Sequence, residues 1–130
     1  MIVVDTNVIA YLYLPGQYTI AAERLLQGDS DWAAPILWRS EMRNILTGYL
    51  RRSTLSFDQA QGIQREAESL LQGLEFNVDS AAVLELVRNS DCSAYDCEFI
   101  ALAKELDTRL VTADKKLLGA FPGVATPLAG

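Results

Sequence analysis

Residues 1–14 read MIVVDTNVIAYLYL, and how that stretch is divided decides the fold. Ile2 to Val4 is a short apolar strand, and Thr6 to Leu14 predicts a helix broken by Pro15-Gly16. Asp5 stands at the seam between two segments that both read as buried, where a neutral cap would be cheaper than a charge. Further along, Thr19 to Leu26 predicts a helix, Trp32 to Ala34 a strand and Ile36 to Arg51 a long helix. Ser56 suits the N-cap of a helix reaching Leu71. LEFNVD (74–79) reads as strand, Ser80 to Arg88 as helix, SAYDCEFIALAKEL (93–106) as helix and RLVTAD (109–114) as strand. KKLLGAF (115–121) closes the pattern with a short helix, and Val124 to Thr126 adds an edge strand. Strands alternating with helices over short loops imply an α/β fold whose parallel sheet is covered on both faces.

The chain has 130 residues, half of them apolar, which suits a single domain over 1–130 with one core. No basic start with a long apolar core marks a signal peptide, and no apolar run approaches the roughly 20 residues of a spanning helix. The expectation is a cytoplasmic protein without a membrane. Cys92 and Cys97 are the only cysteines, are not spaced C-x-x-C and have no histidine to join them, so they read as free, half-buried thiols rather than a zinc site. The lack of histidine also removes the commonest general base, leaving carboxylates to do any chemistry. Net charge is −6, from 17 acidic and 11 basic residues, which argues against a broad positive field for nucleic acid. That objection weakens if some acids hold metal, since two divalent cations would add about +4 locally.

In an open parallel sheet, ligands bind beyond the carboxyl ends of the strands. Asp5 and Asp114 each follow a strand and so fall on one edge. Asp96 heads a helix whose i+3, i+4 and i+7 positions are Phe99, Ile100 and Ala103, an apolar stripe. Glu41 has Leu37, Ile45 and Leu46 at i−4, i+4 and i+5, which puts it on or beside a buried face. Each acid also has a plainer reading. Asp5 and Asp114 suit helix caps worth about 1 kcal/mol, Asp96 suits first-turn charge on a helix dipole, and Glu41 suits an ion pair with Arg39 or Arg43. Taken together, four carboxylates at one mouth repel and raise one another's pKa unless a cation compensates them. All-oxygen ligands favour Mg²⁺ or Mn²⁺, one ion or two, over zinc. The matching chemistry is phosphodiester hydrolysis by an activated water, with no side-chain nucleophile. Thr6, Asn7, Ser93 and Thr112 are short polar residues beside the acids, suited to orienting carboxylates or waters, or equally to capping and turn bonds.

VVDTNVIAYLYL, Glu41 within WRSEMRNIL, and SAYDCEFIALAKELDTRLVTADKKLL, in that order and spacing, resemble the PIN domain, and in particular the VapC-type ribonuclease toxins of toxin–antitoxin pairs. The resemblance implies a three-layer α/β/α sandwich with a central, mostly parallel sheet and an acidic pocket holding Mg²⁺ or Mn²⁺. It implies endoribonuclease activity, a homodimer, and a VapB-type antitoxin whose tail occludes the pocket. Carried over by position, the family's acidic quartet falls on Asp5, Glu41, Asp96 and Asp114 as catalytic metal ligands. Many relatives carry another acid or Asn soon after the last Asp, whereas Lys115 and Lys116 follow here.

Arg39 and Arg43, and Lys115 with Lys116, read as residues to grip RNA phosphates near the acidic groove, with solvated surface charge as the alternative. Glu98 and Glu105 read as outer-face residues of their helix. YLYLPGQY and AAPILW carry more apolar surface than a small domain readily buries, which suits self-association. Two other functions compete with the nuclease. A non-catalytic PIN-fold binding module would be expected to have a broken quartet, and all four positions are filled. A Mg-binding receiver-type domain would want adjacent acids after the first strand, and VVDTN offers one.

Overall fold

The computed structural model describes residues 1–129; the last residue of the expected domain lies outside them. The elements run β1 (Ile2–Val4), α1 (Thr6–Tyr13), α2 (Thr19–Gly28), β2 (Trp32–Pro35), α3 (Trp38–Arg51) and α4 (Phe57–Leu70). They continue with β3 (Glu75–Phe76), α5 (Ser80–Arg88), α6 (Ala94–Glu105), β4 (Leu110–Thr112), α7 (Lys115–Ala120) and β5 (Ala125–Pro127). The α/β alternation expected from the sequence is present throughout.

Every strand pair is parallel, and the sheet order is β3-β2-β1-β4-β5. The chain winds outward from β1 through β2 to β3, then returns to the other side of β1 for β4 and β5. Right-handed crossovers therefore place α1 to α4 on one face and α5 to α7 on the other, giving three layers. Helix contacts agree: α1 packs with α2 and α3, and α3 with α4, while α5 packs on α6 and α6 lies against β1, β2 and β4. β1 is central and wholly buried because both its faces are covered. Trp32, Trp38 and Phe99 are the largest side chains in the core.

Two departures from the expected boundaries have local causes. The strand expected over 74–79 shrinks to Glu75–Phe76, because Asp79 is taken as the N-cap of α5 through its carboxylate and the Ala82 amide. The long helix begins at Trp38 rather than Ile36, since the Ile36 amide still bonds to Phe76 O at 2.9 Å and holds that residue beside the sheet. Gly73 makes the turn between α4 and β3 at φ +82°, a conformation that disfavours other residues. Ser56 caps α4 as expected, in a reciprocal capping box with Gln59.

The order reverses between β1 and β4, so the chain leaves their carboxyl ends in divergent directions and opens a crevice there. That crevice is where the acidic residues collect.

Candidate active site

Asp5 extends β1 by one residue, and its amide donates to Val111 O at 3.3 Å. Because Val4 pairs with Val111, the next residues on each strand, Asp5 and Thr112, become neighbours across the switch point. The Thr112 hydroxyl donates to Asp5 Oδ2 and accepts the Asp114 amide at 3.0 Å. One buried hydroxyl thus fixes the two aspartates that follow the two central strands. The other oxygen of Asp5 accepts the Val8 amide at 3.0 Å and caps α1. Asp114 caps α7 by accepting the Lys116 and Leu117 amides at 2.8 and 3.4 Å. The cap reading of these two acids holds, and it does not exclude a ligand role, since a carboxylate has lone pairs for both.

Glu41 arrives from the first turn of α3, and Thr6 donates to its Oε1 at 2.7 Å. Its hydrogen-bond partner is therefore a hydroxyl on α1, and neither Arg39 nor Arg43 pairs with it. Asp96 lies in the first turn of α6, where the Ser93 hydroxyl accepts its amide at 3.1 Å as the N-cap. All four acids line one cavity of about 410 Å³, together with Thr6 and Asn7, over an apolar floor that includes Phe99 and Leu117. Among the described residues, no Lys or Arg forms a salt bridge with any of the four.

Electrostatics follow from that arrangement. Asp5 is 8% exposed, and its pKa is pushed from 3.8 to about 6, chiefly by burial. The Thr112 and Val8 hydrogen bonds oppose the shift, while the fields of Asp114 and Asp96 add to it. Glu41 is pushed up by burial, against its Thr6 bond, with Asp96 and Glu98 adding repulsion. Asp96 is raised by burial and by the field of Asp114, and Lys116 acts in the opposite direction. Three carboxylates are thus held above their ordinary range in a shared basin, chiefly by burial and further by their mutual repulsion. Among the described residues, no three acids stand close enough to form a ready-made metal cage. The donor chemistry fits a hard divalent cation, but the spacing is looser than the sequence led one to expect.

The remaining sequence-derived residues divide clearly. Thr6, Thr112 and Ser93 orient acids or their backbone, and Asn7 lines the cavity without a side-chain bond among the described residues. Arg39 is committed elsewhere, correcting its expected phosphate role. Its guanidinium forks onto Glu75 at 2.6 and 2.7 Å and reaches Glu68 at 3.2 Å, tying α3 to β3 and α4. Arg43 turns back onto Arg39 O and Ser40 Oγ. Lys115 and Lys116 are exposed at the start of α7, and Lys116 is near enough to Asp96 to be felt. Glu98 is half-buried and acts on Glu41, so it is not the outer-face residue expected, whereas Glu105 is exposed. Ser40, Asn44 and Tyr95 also line the cavity and were not foreseen. Ser40 and Asn44 lie one residue before and three after Glu41, the only sequence signal that pointed to them. AAPILW is largely interior, with Ala33, Ala34 and Trp38 buried and Ile36 at 44% exposure, so it offers less free apolar surface than expected.

Comparison with known proteins agrees with this architecture. The family model for the PIN domain matches residues 2–120. Ribonuclease VapC3 of Pyrobaculum aerophilum is 30% identical over 130 residues, covering 97% of this chain and 98% of that protein. Among solved structures, FitAcB from Neisseria gonorrhoeae superposes with a TM-score of 0.73 at 18% identity, covering 96% of both chains. A toxin–antitoxin complex from Klebsiella pneumoniae superposes with a TM-score of 0.71 at 20% identity, covering 97% of both.

Proposed function

Because this chain belongs to the PIN domain family, we propose that it is a divalent-metal-dependent endoribonuclease that works as the toxin of a toxin–antitoxin pair. The observation that carries this reading is the convergence of Asp5, Glu41, Asp96 and Asp114, from four separate elements, on one cavity without a basic partner. Similarity to a protein named as a ribonuclease over nearly the whole chain supports the substrate class. Family membership sets aside the receiver-type alternative.

Asp5, Glu41, Asp96 and Asp114 would hold Mg²⁺ or Mn²⁺, one ion or two. Such an ion would make water acidic enough to give up a proton and furnish hydroxide near neutral pH, and would offset the charge on the departing oxygen. The protein's own contribution is positional. Thr112 keeps Asp5 and Asp114 in register, and Thr6 aims Glu41 at the cavity. Asn7, Ser40 and Asn44 give the wall neutral polar groups for water or ribose hydroxyls. The apolar floor leaves the carboxylates poorly solvated, which raises their affinity for protons as well as for a cation, so the two compete as pH falls toward about 6. The loose spacing suits a cation that keeps part of its water shell, as Mg²⁺ does.

Partners follow the same reading. Relatives solved as a toxin–antitoxin complex support an antitoxin for this chain. We also propose a homodimer, a reading that rests on membership of the PIN domain family. No helix among the described residues is long and apolar enough to cross a membrane.

The test is direct. Purified protein should cut RNA internally with Mg²⁺ or Mn²⁺, stop with EDTA and recover on adding the ion back. The Asp96→Asn protein, folded by circular dichroism, should not cut. Cleavage that ignores chelator or survives that substitution refutes the assignment, and a folded, Mn²⁺-binding protein that never cuts would favour the binding module.

A further inference from the structure

We propose that Tyr11, Tyr18 and Tyr49 form a stacking subsite for one unpaired nucleotide of the RNA, beside the phosphate at the carboxylate cavity. The inference rests on the endoribonuclease reading above and names the part of the substrate that holds it in register.

A second cavity of about 330 Å³ opens beside the first and shares Asn7 and Ile45 with it. Tyr11 from α1, Tyr18 just ahead of α2 and Tyr49 from α3 line it, and all three are half-buried. The rings of Tyr11 and Tyr18 lie 4.8 Å apart by centroid, with planes tilted by 31°. The turn that carries Tyr18 is pinned: the Thr19 hydroxyl accepts the Gly16 amide at 3.0 Å and donates to Leu14 O at 3.3 Å. The turn that carries Tyr18 is therefore set before any ligand arrives, and Tyr11 and Tyr18 rest against each other, which lowers the ordering cost at binding. Tyr11 also reports its closeness to the chemistry. Burial raises its phenol, and so do the fields of Asp5, Tyr18 and Asp114.

Charge explains why such a subsite is needed. A chain of net charge −6 with an acidic pocket gathers no polyanion through a broad positive field. Stacking on aromatic faces is worth about 1–3 kcal/mol per base and does not depend on charge. Arg52 stands over the Tyr49 ring at 4.8 Å and leaves one cation at the same end of α3 for a neighbouring phosphate. A base within a duplex has both faces covered by its neighbours, so this subsite selects an unpaired nucleotide.

The decisive experiment uses a short, mixed-sequence single-stranded RNA carrying a fluorophore, and a series of the same strand with one abasic ribose moved through each position. Binding is read by anisotropy to the non-cutting Asp96→Asn protein in Mn²⁺. Cleavage is read in parallel with the unsubstituted chain. One abasic position should weaken binding roughly tenfold or more, and adding Tyr18→Ala should bring the intact strand down to that same affinity. If the alanine protein does not fold, Tyr18→Leu, which keeps apolar bulk but has no π face, should do the same. Equal binding of intact and abasic strands, no binding of the intact strand, or a base effect that survives the Tyr18 substitutions overturns the subsite. Absence of cleavage by the unsubstituted chain refutes the nuclease reading instead, and leaves the binding comparison to be judged separately.

Discussion

Replacing Asp5 with Asn should stabilise the metal-free protein while abolishing its chemistry, and the size of the effect follows from burial. Asp5 has an ordinary pKa of 3.8 and a folded value of about 6. The native state thus binds the Asp5 proton more tightly than the unfolded chain, so stability from this group is complete below about pH 4 and is lost as pH rises to about 6 and beyond. At about 1.4 kcal/mol per pKa unit, the ionised carboxylate costs about 3 kcal/mol near neutral pH. Asn keeps the Val8 cap, because its carbonyl oxygen accepts as well as a carboxylate does. The Thr112 hydroxyl loses the acceptor for its proton, a cost of about 1 kcal/mol. The net gain is about 2 kcal/mol, or roughly 5–10 °C in melting temperature for a domain of this size. Thermal melts by circular dichroism in EDTA, across the pH range from about 4 to about 8, compare the two proteins. Subtracting one from the other isolates Asp5 from Glu41 and Asp96, whose raised values act in the same direction. The advantage of Asp5→Asn should be small at the acid end, grow through about pH 6 and then level off. Mn²⁺ should narrow or reverse it, because only the intact site gains binding energy. Two proteins that melt together at every pH in EDTA, or a variant that is less stable near neutral pH, would refute the claim that an uncompensated charge sits there.

Thr112→Val should cost about 1–3 kcal/mol, read by urea unfolding, because it leaves the partly buried Asp114 amide without its acceptor and buried Asp5 with the Val8 amide alone as donor. Thr6→Val should raise the pKa of Glu41 further and move the acid limb of the pH–rate profile upward, with only a small change in melting temperature. Arg39→Met should lower stability by about 1 kcal/mol, discounted because its side chain is partly exposed, and leave the KM for RNA unchanged. Lys116→Gln should instead raise the KM and reduce its salt dependence by about one phosphate contact, with the melting temperature unmoved.

The sequence announced the sheet and the acids but not every neighbour. β1, β4 and the caps at Asp5, Ser56 and Asp114 were legible because each is a local pattern of a few residues. Arg39 was misread because its partners, Glu68 and Glu75, come from elements far along the chain. Glu98 was misread for a different reason. α6 lies between the sheet and α5, and Cys97 and Phe99 through Ala103 are all buried, so the helix has little outer face at that level. A wheel that assumes one solvated side fails on such a helix. The tyrosines at positions 11, 18 and 49 belong to three segments, and only the packing of α1, α2 and α3 brings them to one cavity.

The coincidence of caps and acids has a topological cause. In a parallel sheet a helix that follows a strand, or that runs back antiparallel to feed the next one as α6 feeds β4, begins at the carboxyl edge, so helix N-termini gather there. Here Asp5 caps α1, Asp114 caps α7, Asp96 sits in the first turn of α6 and Glu41 in the first turn of α3. Four positive helix ends therefore face one cavity, each able to favour a nearby anion by about 0.3–1 kcal/mol. That attraction explains how four carboxylates are tolerated in one place, yet it falls short of their desolvation, since Asp5, Glu41 and Asp96 all remain above their ordinary pKa range. The residual deficit is the part that helix dipoles and hydroxyls cannot supply. On the reading proposed above, a divalent cation would supply it, with its charge placed where a phosphodiester would need it.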